Sequence, residues 1–162
     1  MTVYRADWVL PIADDPMADG WVAIERGRIL GVGSGHKPNA IDLGHVVILP
    51  ALVNAHTHLE LSYLRGAVQP ADRFLDWIGT IMGARRRFPN PEDPAILQAA
   101  RAGIEEARAS GTGLLGDISN TLVTAPLLRE AAMPARLFYE LLGFNTDNPA
   151  GLVHEARLRV DR

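Results

Sequence analysis

Two patterns of hydrophobic positions divide the chain near residue 50. Before it, short apolar stretches alternate with turn-rich segments, and apolar residues on both sides of Glu25-Arg26-Gly27 predict a β-hairpin with a glycine-containing turn. Residues 41–43 and 46–49 predict a further pair of strands. We therefore expect a small β-rich unit over 1–50.

After Pro50 the apolar stretches have strand length and alternate with helical patterns. Strands are predicted at 52–58, 114–118 and 136–142. Helices are predicted at 74–87, between the cap Asp93 and Gly111, at 126–132, and from 149 onward. Strands alternating with helices predict an α/β fold with a parallel sheet over 51–162, either doubly wound or part of a (β/α)8 barrel. The periodicity does not choose between these two.

Composition excludes several classes of protein. The chain is 48% hydrophobic and 22% charged, which suits a folded core. Its net charge of −3 argues against nucleic-acid binding. The longest apolar run, 46–53, is far shorter than the ~20 residues of a membrane-spanning helix. With no cysteine, any metal must be held by His, Asp or Glu. A start without a basic segment followed by an apolar stretch predicts a cytoplasmic protein.

The most informative residues are His56 and His58, at the carboxyl end of a hydrophobic strand. Side chains two apart on a strand point to the same face, so the two imidazoles can converge on one ion. Active sites of parallel α/β folds lie at such strand ends. Zinc accepts histidine nitrogen and takes three or four protein ligands. The alternative is an accidental pair, because short motifs have a high false-positive rate.

The residues around this pair resemble the amidohydrolase superfamily. The matching stretch comprises 41–44 and the run Leu49-Pro50-Ala51-Leu52-Val53-Asn54-Ala55-His56-Thr57-His58, with Ala51 where the family has glycine. The segments 110–117 and 136–140 resemble the second and third barrel strands, and Trp77 lies in a helix that the deaminase and chlorohydrolase branch inserts after the first strand. The sequence of residues 56–62 is similar to the corresponding segment of deaminases that act on purine-like substrates, such as aminodeoxyfutalosine or adenosylhomocysteine deaminases.

The resemblance implies a small β unit followed by the first three βα units of a TIM-like, metal-dependent hydrolase barrel, truncated with respect to the ~250 residues of a whole barrel. It implies a hydrolase of carbon–nitrogen bonds other than peptide bonds, most simply an aminohydrolase. His56 and His58 would hold one zinc ion, with iron or a second metal left open. The family's remaining ligands and proton-shuttling acid come from later strands, so the 162-residue chain alone should be inactive and its catalytic acid stays unassigned.

Other polar and aromatic residues have two interpretations each. Trp77 could stack on a substrate ring or belong to the core. Glu140, expected inside the third strand, could point into the barrel and bind substrate. Glu60 could touch substrate or support a ligand, although a solvated carboxylate is the simpler expectation. Asp117 could face the site or cap a loop. Arg85, in a basic run at a helix end, fits the helix dipole.

Two alternatives to the hydrolase remain at this point. The chain could be a non-catalytic fragment, or a partner that completes its barrel with another chain, because an open parallel sheet leaves an unpaired edge. It could also be an unrelated flavodoxin-like domain without a metal. We expect a small-molecule substrate and no nucleic-acid or membrane partner, and leave a homo-oligomer open.

Overall fold

The computed structural model describes residues 1–143 and 145–160, and it has the predicted α/β fold. The chain divides into two compact units, Met1–Ala51 and Leu52–Arg162. In the described residues, no helix is both long enough and apolar enough to cross a bilayer.

The first unit is a five-stranded sheet with β1 at its centre. Strands β1 and β2 pair antiparallel, as do β2 and β3. The predicted hairpin is confirmed: Arg26 and Gly27 between β2 and β3 both have positive φ (50° and 73°), as a type I′ turn requires. Its strands are β1 (Thr2–Val9), β2 (Met17–Glu25), β3 (Arg28–Ser34), β4 (Ile41–Asp42) and β5 (Val47–Ile48).

The two strands predicted at 41–43 and 46–49 are present as β4 and β5, but they do not pair with each other. Both segments instead run parallel to β1, β4 beside Tyr4 and Arg5 and β5 beside Trp8 and Val9. The Asp42 carboxylate accepts a hydrogen bond from Gly44 N, and Gly44 has a positive φ. This turn sets β4 and β5 one after the other along the same edge of β1, so they cannot face each other.

A histidine in this unit makes stability depend on pH. His45 Nδ1 lies 2.9 Å from Asp7 Oδ2, and this hydrogen bond and the aspartate charge raise the pKa of His45 above its usual range. A raised pKa stabilises the folded state fully below the unfolded pKa of about 6.5, and the stabilisation is lost as pH rises through the folded pKa.

We therefore expect His45→Ala to lower the melting temperature by more at about pH 5.5 than at about pH 8. The difference should be small and should shrink in high salt, because the imidazole is almost fully exposed. His36→Ala, at another exposed histidine, is the control. An unaltered pH dependence in His45→Ala would contradict the assignment.

The second unit contains a parallel sheet in the order β6-β7-β8. A flavodoxin-like sheet would place its first strand between the next two. Here the first strand, β6, lies at an edge, so the flavodoxin-like alternative is wrong. The elements are β6 (Leu52–Thr57), a 3-10 helix (Leu59–Leu64), α1 (Phe74–Arg85), α2 (Pro94–Ala109), β7 (Thr112–Ser119), α3 (Thr124–Glu130), β8 (Ala135–Tyr139) and α4 (Pro149–Val160).

The core of this unit lies between β7 and the helices that cover it. Leu115 of β7 and Ala100 and Ile104 of α2 are at most 1% exposed. The predicted cap is confirmed, since the Asp93 carboxylate accepts a hydrogen bond from Ala95 N. Helix α2 also packs against the 3-10 helix, which anchors the chain directly after His58. The other members of the core are Leu59, Leu127, Leu128 and Met133.

Candidate metal centre and adjoining cavity

The two predicted metal ligands lie side by side at the carboxyl end of β6. His56 Nε2 and His58 Nε2 are 3.3 Å apart, and their rings meet edge to face. His56 belongs to the strand and His58 follows it directly, before the 3-10 helix begins. The Asn54 side chain also accepts a hydrogen bond from His56 N.

This geometry suits a zinc ion. Two nitrogens at ~2.0–2.1 Å from one ion, in tetrahedral directions, lie ~3.3 Å apart. His58 Nδ1 is buried and has no hydrogen-bond partner within the part of the chain that the structure describes. Across residues 1–143 and 145–160, no set of three or more His, Cys, Asp or Glu side chains converges. The pair therefore fits two of the ligands that a zinc site needs.

Asp117 holds the backbone that follows His58. It is fully buried in β7, where its Oδ1 accepts a hydrogen bond from Leu59 N (2.9 Å) and its Oδ2 accepts one from Thr124 Oγ1 (2.6 Å). Burial raises the pKa of this carboxyl, although both hydrogen bonds act in the opposite direction. Of the two interpretations of Asp117, capping a loop is the one that the structure supports.

Asp117→Ala should lower the free energy of unfolding by about 2 kcal/mol, because it leaves the buried Leu59 N–H and Thr124 hydroxyl without their acceptor. Asp117→Asn should cost less, since its carbonyl can accept from Leu59 while its amide donates to Thr124. Urea unfolding of both variants measures the difference, with the exposed Asp72→Ala as control. Equal losses in the two variants would show that these hydrogen bonds are not the cause.

The expectation of a solvated Glu60 is wrong. Glu60 lies in the 3-10 helix and is only 4% exposed. Its carboxylate accepts hydrogen bonds from the Ser119 and Thr121 hydroxyls and from the backbone N–H groups of Asn120 and Thr121. It also forms an ion pair with Arg85. The four hydrogen-bond donors lie about 60 residues away along the chain, at the end of β7 and directly after it, so only the tertiary structure brings them to Glu60.

A cavity of about 440 Å³ adjoins the histidine pair. The predicted substrate-binding residues Trp77 and Glu140 both line it, so all four predicted site residues surround one space. Trp77 is 36% exposed and stacks at a tilt on Phe74, with ring centroids 5.8 Å apart. The rest of the cavity lining is apolar except for Arg85 and Asn120, and its apolar members are Leu61, Phe74, Ile78, Ile81, Met82 and Leu142.

Glu140 was expected inside the third strand, but it lies directly after the end of β8. Its own N–H donates to Ser119 O, and Ser119 is also the last residue of β7. Because β7 ends there, β8 has no partner on that side beyond Tyr139 and the strand stops. The Glu140 carboxylate is then held by Asn120, whose Nδ2 donates to Glu140 Oε2 (3.0 Å).

Sequence reasoning missed Arg85 and Asn120. Arg85 was expected to serve only the helix dipole, yet its Nη1 donates to Asn120 Oδ1 (2.7 Å) and its Nη2 lies 3.4 Å from Glu60 Oε1. A signal for Arg85 was present, since residues 77, 81 and 85 are spaced four apart and share one face of α1. Asn120 carries no comparable signal, because its position depends on where β7 ends.

The sequence model of the amidohydrolase family matches residues 47–159, a range that contains both histidines and the cavity. The chain belongs to this family. An adenosine deaminase of Helicobacter pylori is 35% identical over 101 residues, covering 60% of this chain and 22% of that protein. A 5-methylthioadenosine/S-adenosylhomocysteine deaminase of Nitratidesulfovibrio vulgaris is 33% identical over 110 residues, covering 62% of this chain and 24% of that protein.

The fold of this amidohydrolase is shared with a solved relative. The aminofutalosine deaminase of Helicobacter pylori, solved with methylthio-coformycin, superposes with a TM-score of 0.81 at 25% identity, over 99% of this chain and 40% of that one. A zinc-bound adenosine deaminase of Xanthomonas campestris has the same fold (TM-score 0.64, 23% identity), over 83% of this chain and 32% of that one. The chain thus spans less than half the length of these relatives.

Proposed function

We propose that this amidohydrolase is a metal-dependent deaminase that releases ammonia from a purine-like ring. One observation carries the proposal: two histidine nitrogens converge at 3.3 Å beside a cavity lined by aromatic and apolar side chains. The curated relatives described above are deaminases of adenine nucleosides, which supports this choice within the family.

His56 and His58 would supply two ligands of a zinc ion, the metal that the Xanthomonas campestris relative contains. When bound, zinc lowers the pKa of a coordinated water to about 7 and so supplies a hydroxide nucleophile at neutral pH. Asp117 holds the turn after His58 through the Leu59 N–H, and Leu59 packs in one core with Ala100 and Ile104 of α2.

Trp77 and Glu140 are proposed to bind the substrate. The indole ring offers a flat surface on which a heterocycle can stack. The Glu140 carboxylate accepts hydrogen bonds from hydroxyl or amino groups of the ligand. Both residues line the cavity that adjoins the histidines, so one ligand can meet the ring, the carboxylate and the metal site together.

We further propose that residues 51–162 form the first three βα units of a TIM-like barrel. The parallel order β6-β7-β8 supports this arrangement, as does the likeness to relatives of which the chain covers less than half. The other metal ligands and the proton-shuttling acid would then lie on later strands of a longer chain, or on a partner chain that completes the barrel. The cytoplasmic location and a homo-oligomeric state stay predictions.

Ammonia release by the full-length protein that carries this chain tests the proposal. Adenosine, 5′-methylthioadenosine and S-adenosylhomocysteine would be offered to enzyme stripped of metal by a chelator and to the same enzyme after zinc is restored. We expect turnover of at least one of them, dependent on zinc, and none by the 162-residue chain alone. Turnover by the stripped enzyme would contradict the metal site. Turnover by the 162-residue chain would contradict the assignment of missing ligands to other strands.

A further inference from the structure

The Glu60 carboxylate is surrounded by donors on both oxygens. Oε2 accepts from Ser119 Oγ (2.6 Å), Thr121 Oγ1 (2.6 Å) and Thr121 N (3.1 Å). Oε1 accepts from Asn120 N (3.0 Å) and lies 3.4 Å from Arg85 Nη2. A buried carboxylate is costly unless its lone pairs are used, and here they are used fully.

Four of these five donors belong to residues 119–121, which comprise the last residue of β7 and the two that follow it. The fifth comes from α1. One side chain of the 3-10 helix therefore ties together the ends of three elements that surround the cavity. The Ser119 hydroxyl extends the same arrangement, because its oxygen accepts a hydrogen bond from Leu122 N (2.8 Å).

Asn120 transmits this arrangement to the cavity wall. Its backbone N–H is bound by Glu60, while its side chain accepts from Arg85 Nη1 and donates from Nδ2 to both Glu140 O (2.9 Å) and Glu140 Oε2 (3.0 Å). The hydrogen bond to Oε2 restricts the orientations that the Glu140 carboxylate can adopt.

We propose that Glu60 is a positioning residue for substrate recognition, acting through Arg85 and Asn120 to set the orientation of the Glu140 carboxylate beside the histidine pair. The group that Glu140 would recognise is a hydroxyl or amino hydrogen-bond donor of the substrate. This inference rests on the proposed function for the identity of the ligand, but the chain of hydrogen bonds stands independently of the reaction.

If Glu60 had only a structural role, its substitution would have a different effect. Its loss would lower the melting temperature and leave the affinity for substrate unaltered in the molecules that remain folded. A positioning residue acts on substrate affinity, and removing the relay at Asn120 should have the same effect as removing Glu60.

Three variants of the full-length protein separate these cases. Glu60→Gln replaces an acceptor oxygen by an amide among five donors. Asn120→Ala removes the side chain that joins Arg85 to Glu140, which is also part of the cavity wall, and keeps the backbone N–H that Glu60 binds. Glu106→Gln is the matched control, because Glu106 is an exposed carboxylate that pairs with Arg65, and neither residue lines the cavity. Bound zinc, melting temperature, kcat and KM for 5′-methylthioadenosine are measured for each.

We expect Glu60→Gln and Asn120→Ala each to raise KM about tenfold, which corresponds to the loss of one charge-assisted hydrogen bond to the substrate. The zinc content should be unaltered, and kcat should change less than about twofold. Glu106→Gln should match the wild type. An unaltered KM in either variant overturns the proposal, and the Asn120→Ala result can do so even if Glu60→Gln fails to fold.

A second measurement tests the role of Glu60 without relying on catalytic activity. Hydrogen exchange of the Asn120 side-chain amide, followed by nitrogen-15 NMR on the wild type and Glu60→Gln, reports whether Glu60 holds the relay. We expect exchange at least about tenfold faster in the variant. Equal exchange would overturn the positioning role. If the wild type releases no ammonia from any substrate, the proposed function fails while this readout still decides the positioning role.

Discussion

Under the proposed function, His56→Ala in the full-length protein is expected to abolish zinc binding and to lower the rate of ammonia release at least about a thousandfold. Electrostatic activation by a catalytic metal contributes several kcal/mol to lowering the barrier, and each 1.36 kcal/mol is about a tenfold change in rate. A single remaining imidazole on this strand end cannot substitute for the pair, whose nitrogens are 3.3 Å apart. His58→Ala should have the same result for the same reason.

Metal analysis and ammonia release measure the two effects together. His154→Ala is the matched control, because this histidine is exposed on α4 and should be replaceable without loss of zinc. Retention of activity in His56→Ala would show that the histidine pair is not the metal site. Loss of zinc with full activity would show that the reaction does not use the metal.

Gly116→Ala is expected to destabilise the protein by about 3 kcal/mol, near the upper end of the effect of overpacking. Gly116 lies in β7, and a Cβ there would lie 2.8 Å from the carbonyl carbon of Ala55 and closer still to its oxygen. The obstacle is backbone, which cannot rotate away as a side chain can. Strand β6 would have to move at the residue immediately before His56.

Gly79→Ala provides the control for this substitution. Gly79 lies in α1, where an added Cβ would meet no other atom within 4 Å. Alanine there should stabilise the helix by up to about 1 kcal/mol. Denaturant unfolding of both variants gives the comparison, and zinc binding by Gly116→Ala shows whether the displaced strand also separates the histidines. A Gly116→Ala protein as stable as the wild type would contradict the close packing of β6 on β7.

Local patterns accounted for much of the fold. The hairpin at Arg26-Gly27, the capped start of α2 at Asp93 and the strand that ends in the histidine pair depend on neighbouring residues in the chain, which is the range over which turn, cap and alternation rules operate. The convergence of His56 and His58 follows from the two-residue period of a strand. Their sequence context was also sufficient to identify the amidohydrolase family, which the family comparison confirms.

The sequence by itself therefore determined the β-hairpin, the alternation of strands and helices, and the histidine pair. Tertiary structure alone decided that Glu60 is buried, that Arg85 turns toward it, and that Glu140 lies beyond the end of β8. The physical reason is distance along the chain. The donors that stabilise the buried Glu60 carboxylate lie 25 to 61 residues away along the chain, so no local pattern around position 60 can indicate them.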